Sequence, residues 1–124
     1  MRHVFLPVVL LTSLVLLACA KPNAVRTFNS PTEGVFYTVE TYYGHGPSSD
    51  TTRIYANLGR DSKKVLVLEG ENLTVTNIMW EGQHAATLCL DGGITSTFRN
   101  EVTLISGGIS ETMHNRLQEH CSTR

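Results

Sequence analysis

Glu69 and Glu71 flank Gly70, and carboxylates this close can divide general-acid and general-base work. The same two residues on either side of a turn are also an ordinary solvated hairpin tip, which is the simpler reading. His45, His84, His114 and His120 are the histidines left once His3 is assigned to an N-terminal segment considered below. The last two are six apart, which on a helix turns them about 240° from each other, so they do not share a metal as an i,i+4 pair can. A nucleophilic serine needs an elbow, a base and an orienting acid. No Gly-x-Ser-x-Gly is present, and Ser110 after Gly107-Gly108-Ile109 reads as a helix cap. No glycine pair is followed by the Lys-Ser/Thr of a phosphate loop. The expectation is a protein that is not an enzyme, with no cofactor and no metal site.

Binding chemistry remains. Tyr42-Tyr43-Gly44-His45-Gly46-Pro47 puts two aromatics and a histidine beside a turn-rich loop that runs to Asp50. Aromatics give contact area at low entropy cost, and loops on a rigid scaffold hold a large share of binding residues. Tyr42, Tyr43 and His45 are therefore the expected contact residues, the alternative being that at least one tyrosine ends its strand in the core. Trp80 carries the same two readings, and core packing is the better one. Ten Lys+Arg against eleven Asp+Glu give a formal net charge of -1, leaving no basic excess to neutralise phosphates, so nucleic acid is not an expected partner.

The first residues differ from the rest. Met1-Arg2-His3 is a short basic start, and the only polar residues from Val4 to Leu17 are Thr12 and Ser13. Such a stretch spans roughly 21 Å as a helix, short of a bilayer core of about 30 Å, so a cleaved export signal fits better than a permanent span. It ends in Leu16-Leu17-Ala18-Cys19, which resembles the lipobox of bacterial lipoproteins. In that family a signal peptidase cuts before a cysteine whose thiol is thioether-linked to a diacylglyceryl group. The resemblance implies a signal peptide at 1–18, an acylated Cys19 as the new N-terminus, and the membrane as a partner through that lipid. Ala20 after the cysteine, rather than Asp, implies the outer membrane under the enteric sorting pattern, with the domain facing the periplasm or the exterior. An ordinary signal-peptide cut near Ala18 or Ala20 is the alternative.

With Cys19 assigned to the anchor, Cys89 and Cys121 remain in a chain delivered to an oxidising compartment, so a disulfide is expected. It would close a loop of about 33 residues, worth roughly 3.5 to 4 kcal/mol in the chain-entropy model. Two buried free thiols are the alternative.

The elements that must position these residues follow from hydrophobic period. Residues 19–29 show none and contain Pro22, so they read as a lipidated tether, with a single β-rich domain over 30–124. Val35, Tyr37, Val39, Thr41 and Tyr43 alternate with Phe36, Thr38, Glu40 and Tyr42, a first strand. Alternation returns over 51–58, 64–69, 73–80, 84–90, 94–98 and 102–105, separated by glycine-rich turns. About seven strands at this rhythm predict a mainly β fold: an antiparallel meander, a small sandwich or an open barrel. Ile109, Met113, Leu117 and Cys121 recur every four residues, which predicts one C-terminal α-helix capped by Ser110 and stapled through Cys121. Ser30-Pro31-Thr32-Glu33-Gly34 with the later Trp80 is weakly similar to the Ser-Pro-Asp-Gly-Lys start and closing Trp of small β-rich bacterial lipoproteins. It departs from them by an extra residue before Gly34 and by Val35 in place of a lysine, and it implies a β-rich domain and no site residue.

The expected function is a membrane-anchored, non-catalytic binding module for a periplasmic protein or envelope polymer, of inhibitor or immunity type. The alternative is a structural or assembly lipoprotein, pilotin-like or part of an envelope complex.

Overall fold

The computed structural model describes residues 21–44, 49–60 and 63–121. Cys19 and His45 lie outside the described residues, as does the expected signal segment. Nine strands follow in order: β1 (Ala24–Asn29), β2 (Val35–Tyr42), β3 (Thr51–Leu58), β4 (Val65–Glu71), β5 (Thr74–Trp80), β6 (Ala85–Asp91), β7 (Ile94–Phe98), β8 (Glu101–Ser106) and β9 (Ile109–Glu119). They form a five-stranded sheet, β1-β2-β3-β4-β7, and a four-stranded sheet, β5-β6-β9-β8. Every pairing is antiparallel except β6 with β9.

The alternating strands dictate this arrangement because each has one apolar face to bury. Val35, Tyr37 and Val39 of β2, with Ile54, Ala56 and Leu58 of β3, point inward from the first sheet; Ile78, Ala86, Leu88, Val102, Leu104 and Met113 point inward from the second. One core lies between two open sheets, so the fold is a sandwich, and β8 packs across onto β3 and β4.

The expected C-terminal helix is not present. Residues 109–119 are the longest strand, β9, bonded to β8 on one side and to β6 on the other. A spacing of four is also a multiple of two, so Ile109, Met113 and Leu117 suit a strand as well as a helix. A helix stripe needs apolar residues at i+3 as well, and those positions are Thr112 and Arg116. Gly107 and Gly108, with φ of 56° and 82°, form the two-residue turn of a β8–β9 hairpin, and Ser110 pairs with Ile105 instead of capping a helix.

The reading of residues 19–29 as a tether also changes. From Ala24 onward they form β1, in register with β2 from Ala24↔Thr41 to Asn29↔Phe36.

The sandwich has two unlike ends. At one, Tyr42, Thr51, Glu71 and Ile94 form a terminal row across β2, β3, β4 and β7, beside the start of β1 and the close of β9. The other carries the β8–β9 hairpin, which shares a cleft with Gly34, Leu58 and Gly59.

Candidate binding face

Side chains opposite each other on paired strands share a face, so register locates a surface row by row. On the outward face of the five-stranded sheet one row reads Val25, Glu40, Arg53, Glu69 across β1 to β4, and the next reads Thr27, Thr38, Tyr55, Leu66. Tyr42 stands two residues beyond Glu40 on the same side of β2.

Five of the side chains on this face form a ring that closes through β3, and a sixth, Glu69, is joined to it at Arg53. Arg53 Nε donates to Glu69 Oε2 at 2.5 Å, and its guanidinium lies over the Tyr42 ring, 5.0 Å from the centroid. Tyr42 donates through its hydroxyl to Glu40 Oε1 at 2.7 Å, and Lys64 Nζ donates to Glu40 Oε2 at 2.9 Å. The Lys64 ammonium sits 4.2 Å from the centroid of Tyr55, which returns to Arg53 along β3. Glu40 is only 7% exposed although it points away from the core, because Lys64 and Tyr42 cover it.

The electrostatics follow from these contacts. Burial works to raise the Glu40 pKa, but the hydrogen bonds from Lys64 and Tyr42 and the charges of Lys64 and Arg53 outweigh it and hold the carboxyl below the usual glutamate range. The bond to Glu40 raises Lys64, the bond to Glu69 raises Arg53, and burial followed by the Glu40 contact raises Tyr42. The Glu40 carboxylate and the Lys64 and Arg53 cations are therefore held ionised, with two aromatic rings between them.

Of the residues singled out from sequence, Tyr42 belongs to this ring. Tyr43 does not; it is 55% exposed beyond the end of β2, and its backbone N–H donates to Asn23 Oδ1 at 2.8 Å. Neither tyrosine is a core residue. Trp80 packs partly buried against the core, edge-on to Tyr37 with ring centroids 5.1 Å apart. Cys89 and Cys121 form a disulfide with Cα atoms 5.7 Å apart, joining the chain two residues past the end of β9 to β6.

Glu69 and Glu71 both lie in β4, not on a hairpin tip, and Glu69 is taken by Arg53. His84 Nε2 lies 2.7 Å from Glu111 Oε2 and His114 Nδ1 lies 3.8 Å from Glu101 Oε2, each an isolated pair. Among the described residues no group of three or more His, Cys, Asp or Glu is placed to hold a metal.

Comparison with known proteins adds no relative. No family model, no curated protein and no solved structure matches the chain. The ring residues Glu40, Arg53, Tyr55 and Lys64 escaped the sequence reading, which looked to the loop. Their signal was present: charge and aromatic alternate at Glu40/Tyr42 and Arg53/Tyr55 on the polar phase of two strands.

Proposed function

We propose that the protein is a non-catalytic binding module of the bacterial envelope, lipid-anchored at Cys19, that engages a protein or an envelope polymer through the outward face of its five-stranded sheet. The observation that carries this reading is the ring of Glu40, Tyr42, Arg53, Tyr55 and Lys64, with Glu69 joined to it at Arg53. Its side chains are held by one another before any ligand arrives, which lowers the ordering cost of contact. Tyrosine and arginine are the residue types that most often anchor interfaces. Together with Glu69 the ring has equal numbers of cations and carboxylates, which suits a partner of mixed polarity and offers no phosphate-binding excess.

The test compares full-length acylated protein with its Arg53→Ala/Tyr55→Ala form. Both are offered peptidoglycan sacculi and, separately, cross-linked to envelope proteins of the same cells. Loss of one capture in the double variant, with unfolding midpoint retained, supports the reading and names the partner class. Equal capture by both forms overturns it. Capture lost only on Ile105→Lys, in the hairpin at the far end, favours the assembly-lipoprotein alternative.

A further inference from the structure

The lipid, if it is on Cys19 as proposed above, sits very close to the folded domain. Asn23 is already bonded into the sheet: its N–H donates to Thr41 O at 2.8 Å and its side chain accepts from Tyr43 N at 2.8 Å. Cys19 is four residues earlier, and an extended chain spans at most about 3.5 Å per residue, so the backbone of the acylated residue lies within about 14 Å of Asn23. The end of the sandwich where β1 starts is therefore the end brought to the bilayer.

That end is suited to it. Ile94, at the β7 side of the terminal row, is 75% exposed, and Tyr43, just past the β2 member of that row, is 55% exposed. Single exposed apolar residues are common, but here two stand at one end, the one to which the anchor leads. The other exposed isoleucines, Ile105 and Ile109, lie in the hairpin at the opposite end.

Charge selects the kind of lipid. Among the described residues this end carries Lys21 and Arg26 against Asp50, Glu71, Asp91 and Glu119, a balance that repels an anionic surface. Between the sheets at the same end is a cleft of about 320 Å³ lined by Arg26, Thr41, Asp50, Thr52, Asn72 and Thr74, among others. Arg26 donates to the Val75 carbonyl and has no carboxylate partner among the described residues, so donors of its five remain for an oxyanion. Asp50 accepts from Gly44 N at 2.9 Å and keeps its second oxygen. One cation and one anion in a threonine-lined cleft match the phosphate and ammonium of a zwitterionic phospholipid headgroup.

We infer that this end of the sandwich rests on the bilayer and takes zwitterionic phospholipid headgroups between Arg26 and Asp50. The inference rests on the lipid-anchor reading and leaves the outward sheet face standing free beside the membrane.

Amide hydrogen exchange tests it on full-length protein in phosphatidylethanolamine/phosphatidylcholine vesicles, with the Cys19→Ser chain free in solution as reference. Slower exchange at 41–44, 71–74 and 92–95, with no change at 105–110, is expected. No slowing at the first three segments, or slowing at 105–110, overturns the orientation. A second form carries a Gly/Ser spacer of about twelve residues after Ala20, which adds roughly 20 Å of reach. It should keep its protection on zwitterionic vesicles, and lose it on phosphatidylglycerol vesicles and on Arg26→Gln. Loss on zwitterionic vesicles, or retention in Arg26→Gln, overturns the headgroup site. The intact mass of the same sample reports the acyl group separately, so failure of the anchor is distinguishable from failure of the docking.

Discussion

The Tyr37 hydroxyl donates to Asn115 Oδ1 at 2.5 Å, joining β2 of one sheet to β9 of the other through the core. Asn115 in turn donates from Nδ2 to Arg99 O at 3.2 Å and from its backbone N–H to Asn100 O at 2.7 Å, so one buried amide also holds the β7–β8 crossing. Burial pushes the Tyr37 phenol well above its ordinary range, and the bond to Asn115 offsets part of that. Tyr37→Phe leaves the Asn115 acceptor buried without that donor and should cost about 1–3 kcal/mol. Urea unfolding of Tyr37→Phe, Asn115→Ala and the double variant checks this. Additive losses would show that the two side chains do not act together.

Residue 113 against residue 117 distinguishes strand from helix energetically. Met113 is fully buried while Leu117 is 38% exposed, whereas a helical stripe through 109, 113, 117 and 121 would bury both. Met113→Ala should cost about 2–5 kcal/mol and Leu117→Ala about 1 kcal/mol or less. Equal losses in chemical unfolding would contradict the strand.

Cys121 ties the end of β9 to Cys89 of β6, across the single parallel pair of the fold. Alkylation of denatured, unreduced protein should leave both thiols unlabelled. Cys121→Ser should lower stability by roughly 2–5 kcal/mol, read as a fall in Tm.

Glu40 makes stability depend on acid. Its folded pKa lies below the unfolded value of 4.5, so its contribution is present above that pH and is lost as pH falls below it toward the folded value. Lys64 is the mirror case: raised above 10.5 in the fold, it contributes below that pH and its contribution fades above it. Glu40→Gln should flatten the acid limb of the stability–pH profile and Lys64→Met the alkaline limb. A Glu40→Gln profile parallel to wild type below pH 4.5 would remove Glu40 from the account.

Cys19→Ser should move the protein from the membrane to the soluble periplasmic fraction. An unmodified N-terminus elsewhere in the wild-type mass spectrum would refute the anchor.

By itself the sequence determined the β class, seven of the nine strands to within a few residues, and the inward phase of Val35, Tyr37 and Val39, because alternation is a local property of the chain. Setting Cys19 aside for the lipid anchor left Cys89 and Cys121 as the expected pair, and they are bonded in the fold. Tertiary structure decided what local pattern left degenerate. The four-residue spacing of Ile109, Met113 and Leu117 fits helix and strand alike, and β6 and β8 settled it by offering hydrogen bonds on both sides of β9. Residues 24–29 have no hydrophobic period, since β1 is an edge strand with little to bury, and only the register with β2 makes them part of the sheet. The ring on the outward face, with Glu69 joined to it, likewise brings together residues up to 29 positions apart, Glu40 to Glu69, and proximity of that kind is created by strand pairing and is not written in any one segment.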